Sequence, residues 1–138
     1  MADARLELHS LLLCDYALTA QDGKVSAIGL FSQINVNRLP STHGRLFIVA
    51  VLEADAGTHD VSLQVTGPDG QPLLGRPPQM RIEVPPNATT ANIVADLKGL
   101  QIRALGRHRV ELRAGDRLLG GTPFNVNLLW QERRAANA

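Results

Sequence analysis

Arg107, Arg109 and Arg113 share one parity in a short arginine-rich stretch that also holds Arg103 and Arg117. On a β-strand, equal parity means one face, so the three guanidinium groups would stand in a row, an arrangement that can bind phosphates or other anions. Sequence-tolerant nucleic-acid binding adds exposed aromatic side chains for stacking, and this chain has only three Phe, one Trp and one Tyr, most at core-patterned positions. Nucleic acid is therefore not an expected partner, and the row reads first as a charged strand face that discourages edge-to-edge pairing. Asp15 is a second candidate. It sits in an apolar stretch beside Cys14 and Tyr16, where a charge needs an arginine or a cluster of N–H groups; an ion pair or loop anchor is preferred to a binding role.

Other chemistry finds little footing. His9, His43, His59 and His108 lack the short spacings that put two imidazoles on one metal, and a single thiol cannot complete a zinc site, so no metal is expected. His59 and His108 follow glycine-containing strand starts, where packing is the simpler role. Cys14 cannot form an intramolecular disulfide, and its apolar neighbours would raise its pKa, giving a buried, inert thiol. Glu53 and Asp55 could do acid and base work on one strand face, but with Ala54, Ala56 and Gly57 around them they read as a solvated strand exit. No nucleophile elbow, phosphate-cradling loop or dinucleotide fingerprint occurs. The expectation is a chain without catalytic residues or cofactor, and not an enzyme.

The elements that must carry these residues are strands. Leu6, Leu8, Leu12, Cys14, Tyr16 and Leu18 share the even parity of a long strand and are assigned inward, which leaves Leu11, Leu13 and Asp15 outward. Leu11 and Leu13 are apolar where solvent is expected, so a loop or another subunit should cover them. Gln21-Asp22-Gly23 supplies a hairpin turn, and a bulge near Gly29 would reconcile the two parities of the apolar residues that follow. Arg45 to Glu53 is apolar on both faces, as a central strand is. Asp60 to Thr66, with Val61, Leu63 and Val65 inward, stops at Gly67-Pro68-Asp69-Gly70, and a strand with Met80, Ile82 and Val84 inward follows a proline-rich connector. Ala91 to Leu97 alternates as a strand, although Ala95 to Leu100 could also form a helical turn; a loop is assigned from Gly99 to Gly106. A last hairpin directs His108, Val110 and Leu112 inward, turns at Ala114-Gly115-Asp116, and returns with Phe124, Val126, Leu128 and Trp130 on one face.

Eight or nine short strands with no long amphipathic helix predict an all-β, antiparallel β-sandwich of immunoglobulin-like type, a single domain over residues 1–130, with a frayed tail at 131–138. The length of 138 residues and 44% apolar content suffice for one core without a staple. The net charge of +1 provides no field toward nucleic acid or an anionic membrane, though residues 1–70 hold four basic and eight acidic side chains and residues 71–138 hold ten and five. No apolar run reaches membrane-spanning length. Leu11-Leu12-Leu13-Cys14 fails as a lipoprotein signal, because Leu13 is not small and Asp3 and Glu7 precede a short apolar core. A cytoplasmic location is expected.

The segments Leu-Leu-Cys-Asp-Tyr-Ala (12–17), Asp-Gly-Lys-Val-Ser-Ala-Ile-Gly-Leu-Phe (22–31), Gly-Pro-Asp-Gly (67–70) and Gly-Arg-His-Arg-Val-Glu-Leu (106–112) before Leu-Leu-Gly-Gly-Thr-Pro-Phe resemble an uncharacterised bacterial family of small single-domain proteins. The resemblance spans most of residues 6–128. It implies a compact immunoglobulin-like sandwich and brings no assigned activity; twelve arginines to two lysines suit a GC-rich bacterial genome. The expected function is a protein-interaction or assembly module, self-associating through Leu11 and Leu13. The alternative is a small-ligand or anion-binding protein using Asp15 or the row Arg107, Arg109 and Arg113.

Overall fold

A computed structural model describes residues 5–129. Trp130 and the tail at 131–138 lie outside the described residues. The strands are β1 (Leu6–Thr19), β2 (Val25–Leu30), β3 (Gln33–Val36), β4 (Ser41–Ala54), β5 (Gly57–Thr66), β6 (Gln79–Val84), β7 (Thr90–Ile102), β8 (Gly106–Ala114) and β9 (Arg117–Leu128). They form two sheets, a first of order β2-β1-β4-β7 and a second of order β3-β9-β8-β5-β6. Among the described residues every strand pairing is antiparallel except β3 with β9, which run parallel. That one pairing departs from the all-antiparallel expectation.

The two sheets share one apolar core. Leu46, Ile48, Ala50 and Leu52 of β4 meet Val61, Leu63 and Val65 of β5, Val110 and Leu112 of β8, and Phe124 and Val126 of β9. Each set recurs at every second residue, which is why the strands form and why one face of each leaves water. The apolar residues on both faces of β4 are all packed: Phe47 and Val49, on the other parity, are buried with Cys14 and Ala17 in a smaller cluster against which Val25 and Val94 lie.

The first hairpin forms at the expected place. Gly23 takes φ +89°, its N–H donates to Ala20 O, and Ala20 N–H donates to Lys24 O, closing a three-residue loop with glycine in the left-handed corner. Gly29 also takes a left-handed φ, +72°. After Leu30 the chain leaves the first sheet and starts β3 in the second, so Ile34 and Val36 are buried while Ile28 and Leu30 are exposed. The two parities are reconciled by this change of sheet.

Two assignments are corrected. The loop placed from Gly99 to Gly106 is mostly strand: β7 runs on to Ile102, pairing Leu100 with His43 and Ile102 with Ser41. Gly99, at φ +68°, resets the alternation so that Leu100 and Ile102 are buried; a sequence reading that treats glycine as a stop ends the strand too early. The larger correction concerns β1. Leu11 and Leu13 are buried in the main core, and Leu12, Tyr16 and Leu18 are exposed. The register against β4 shifts between Leu8 and Ser10, and this bulge exchanges the faces: Leu6 and Leu8 point inward before it, Leu11 and Leu13 after it.

Candidate site on the outer face of the first sheet

The exchange of faces places an apolar surface where a solvated one would stand. Pairing partners in a ladder share a face, so Tyr16 stands beside Ile28, and Cys14 beside Leu30 and Phe47; the ladder is irregular at Asp15 and the left-handed Gly29, beyond which Ala17 and Val25 pack with Cys14, Phe47 and Val49. Leu12, Tyr16, Leu18, Ile28 and Leu30 are 38%, 46%, 40%, 58% and 60% exposed. These five large apolar side chains on two adjacent strands leave roughly a few hundred Å² of apolar surface in solvent, the size at which the largest patch on a protein is often functional. Cys14, at 0% exposure, lies beneath, its Sγ 3.8 Å from Phe47 O, and burial raises its thiol pKa, which suits an inert packing group.

Composition changes across the sheet. On β7 this face carries Asn92, Val94, Asp96 and Lys98; on β4 it carries Arg45, Phe47, Val49 and Val51; on β1 and β2 the exposed side chains are apolar apart from Asp15, Ser26 and the polar residues at the strand ends. Arg45 marks the boundary. It donates to both Asp96 carboxylate oxygens, at 3.0 and 2.7 Å, and its guanidinium carbon stands 4.8 Å from the Phe47 ring centroid. The hydrogen bonds from Arg45 hold the Asp96 carboxyl below its ordinary value. Tyr16 meets Phe47 edge-on at 5.2 Å, so the phenol is fixed at the rim of the patch. A cleft of about 310 Å³ borders it, where Leu12 and Leu30 of the first sheet and Phe31, just beyond β2, approach Thr122 and Pro123 of β9.

The other expected residues do not converge on a site. Asp15 is exposed, and its carboxylate occupies the space beside Gly29 where a Cβ would come within 2.5 Å of Oδ2; the dry environment that would demand a partner is absent at this position. Arg107, Arg109 and Arg113 do share the outward face of the second sheet, but six residues of strand put its ends roughly 20 Å apart, too far for one small anion. Arg113 reaches Glu111 at 3.4 Å, and the Arg109 guanidinium lies over Gly121. Arg107 borders a cleft of about 200 Å³ with Ser32, Gln33 and Asn125. Arg117 donates to Leu6 O at 2.7 Å, tying β9 to β1.

Arg5 engages both members of the acidic pair. Glu53 pairs with Arg5, and Asp55 Oδ2 accepts the Arg5 N–H at 2.7 Å. His9 stands 3.5 Å from Glu53, and the Arg5 side-chain hydrogen bond lowers the Glu7 pKa. His59 and His108 are buried, as packing residues are: a His59 ring nitrogen lies 2.7 Å from Asp55 O, and His108 stacks on Phe124 at 5.1 Å with Nδ1 3.0 Å from Gly106 O. Among the described residues no three His, Cys, Asp or Glu side chains gather as a metal site, and no helix is long and apolar enough to cross a membrane.

Sequence reasoning missed Ile28 and Leu30 as surface residues and took Leu12, Tyr16 and Leu18 for core. A signal was present: Leu6 and Leu8 are separated from Leu11 and Leu13 by an odd step, which is the mark of a bulge at His9-Ser10.

Residues 9–127 match the model of a family described as a family of unknown function (DUF6941). No curated protein matches the chain. Among solved structures, a β-glucosidase (EmGH1) from Erythrobacter marinus is similar with a TM-score of 0.53 at 10% identity, over 89% of this chain and 15% of that one. The alkylpurine DNA glycosylase AlkC from Pseudomonas fluorescens, bound to DNA containing an abasic site analogue, gives 0.51 at 14% identity, over 90% and 31%. A β-glucosidase from Listeria innocua in complex with glucose gives 0.51 at 10% identity, over 91% and 16%. The chain thus spans a third or less of these proteins, and the likeness concerns the fold alone.

Proposed function

The chain belongs to the family of unknown function DUF6941, a membership that brings no activity with it, and from its surface we propose that it is a non-enzymatic protein-docking module. In this reading it is a bacterial, immunoglobulin-like β-sandwich that works in the cytoplasm. The observation that carries the proposal is the exposed apolar surface of β1 and β2, Leu12, Tyr16, Leu18, Ile28 and Leu30, beside the Arg45–Asp96 pair. A desolvated apolar centre with an aromatic side chain and a charged rim is the anatomy of a protein interface. The buried, unpaired Cys14 suits a reducing compartment, and the arginine-rich composition suits a GC-rich bacterial genome.

Anion binding, the other expectation, has less behind it. Asp15 is a hydrated surface carboxylate, and the arginine row is drawn out along β8, with Arg113 already engaged by Glu111.

A photo-crosslinking side chain placed at Tyr16 in the native host tests the docking reading. A discrete crosslinked protein product is expected from position 16 and not from Asp60, an exposed residue on the outward face of the second sheet. Equal or absent crosslinking at the two positions would contradict it.

A further inference from the structure

We infer that the partner on this face is a second copy of the chain, joined through β2 so that the two first sheets run on as one. The inference rests on the docking reading and names its occupant. A strand at the edge of a sheet presents unpaired N–H and C=O groups, and folded proteins guard such edges with charge, proline or shortness. Among the described residues the two sheets have four edges, and three of them are guarded. The β7 edge carries Asp96 and Lys98; β6 carries Arg81 and Glu83 between Pro78 and Pro85; β3 is four residues long. The fourth edge, β2, reads Val25-Ser26-Ala27-Ile28-Gly29-Leu30, without a charge or a proline. It is also the edge toward which the outer face becomes apolar.

The hydrogen-bonding phase decides which groups are free. Ala20 N–H donates to Lys24 O, so by the alternation of an antiparallel ladder Leu18 with Ser26 and Tyr16 with Ile28 are the bonded pairs; beyond the left-handed Gly29 the phase changes, and Phe31 N–H donates to Leu13 O. The N–H and C=O groups of Val25 and Ala27 then point to the open side. A two-fold axis through Ala27 pairs this residue with itself and keeps each face on its own side. Ser26 falls opposite Ile28 of the second copy, and Val25 opposite its Gly29, so each bulky side chain meets a small one. Lys24 falls opposite Leu30, where its methylene stem can cover the leucine while its ammonium group stays in water. A net charge of +1 opposes the approach of two copies only weakly. The left-handed Gly29 bends the chain beyond Ile28 and keeps the paired segment short, which predicts a reversible dimer and no open-ended assembly.

Sedimentation velocity on the full chain from about 5 to about 500 μM tests this, with Ser26→Lys and Ile28→Lys compared and circular dichroism confirming that each is folded. A concentration-dependent dimer is expected, its dissociation constant raised at least about tenfold by either substitution. A second readout does not depend on those variants. Ala27→Cys should form a symmetric intermolecular disulfide under mild oxidation, and Val25→Cys should not, since its counterpart would lie four residues away, beyond disulfide reach. A dimer that survives both lysine substitutions, or equal crosslinking by the two cysteines, would overturn pairing through β2. A strict monomer with no Ala27→Cys dimer would overturn the second copy as partner; if Tyr16 still crosslinked to another protein, docking would stand, and if it crosslinked to nothing, both readings would fall.

Discussion

Leu12 and Leu13 are neighbours with opposite fates. Leu13 is 4% exposed in the main core, whereas Leu12 is 38% exposed on the outer face. Truncating a buried leucine loses its transfer free energy and leaves a cavity, so Leu13→Ala should lower stability by about 2–5 kcal/mol. Leu12→Ala should stay within about 1 kcal/mol, because solvent already reaches the side chain. Urea unfolding of the two variants checks this, and equal losses would contradict the assignment of faces. The sequence could place both residues on one strand, since period two is plain from Leu6 to Leu18. It left the faces open because Leu11-Leu12-Leu13-Cys14 is apolar on both, and a one-residue bulge inverts which parity is inside. Asp15 has the parity of the buried Leu11 and Leu13 yet is exposed, because β1 runs on beyond its pairing with β4, which ends at Cys14.

Elements with one polar face were read more securely. β5 and β8 alternate cleanly, so His59, Val61, Leu63 and Val65, and likewise His108, Val110 and Leu112, are buried as their parity requires. Glycine was harder to interpret, because it can end a strand, kink it or admit a neighbour. Gly120 and Gly121 of β9 admit neighbours on opposite faces. A Cβ on Gly120 would stand 2.8 Å from the end of the Leu8 side chain, and one on Gly121 would stand 2.7 Å from Val110 O and 2.8 Å from the Arg109 guanidinium. A side chain can move aside more easily than a ladder carbonyl. Gly121→Ala should therefore cost roughly 1–3 kcal/mol, while Gly44→Ala, with nothing within 4 Å of its Cβ, should be close to neutral. Thermal unfolding of the pair separates close approach from a general loss of glycine flexibility. Edge strands pose the converse problem: from sequence alone β2 is half of a hairpin, and its exposure follows from a sheet order that only the tertiary structure supplies.

At the scale of the molecule the two outward faces differ in kind. The second sheet turns Ser62, Gln64, Arg107, Arg109 and Glu111 outward, whereas the first turns Leu12, Tyr16, Ile28 and Leu30 outward and ends in an unguarded edge. Overall charge and composition conceal this division, because both faces average into an ordinary globular balance. The all-β class and two-sheet packing were legible from period and turn spacing; the docking surface was not, because it depends on one bulge and one strand order. The most direct measurement is a dilution series followed by amide chemical shifts on uniformly labelled protein, from about 1 mM to about 20 μM. The account predicts concentration-dependent shifts confined to Val25–Leu30 and the neighbouring outer-face positions Leu12, Tyr16 and Leu18, with β5, β6 and β8 unchanged. Shifts centred on the arginine face of β8, or none anywhere in the range, would contradict it.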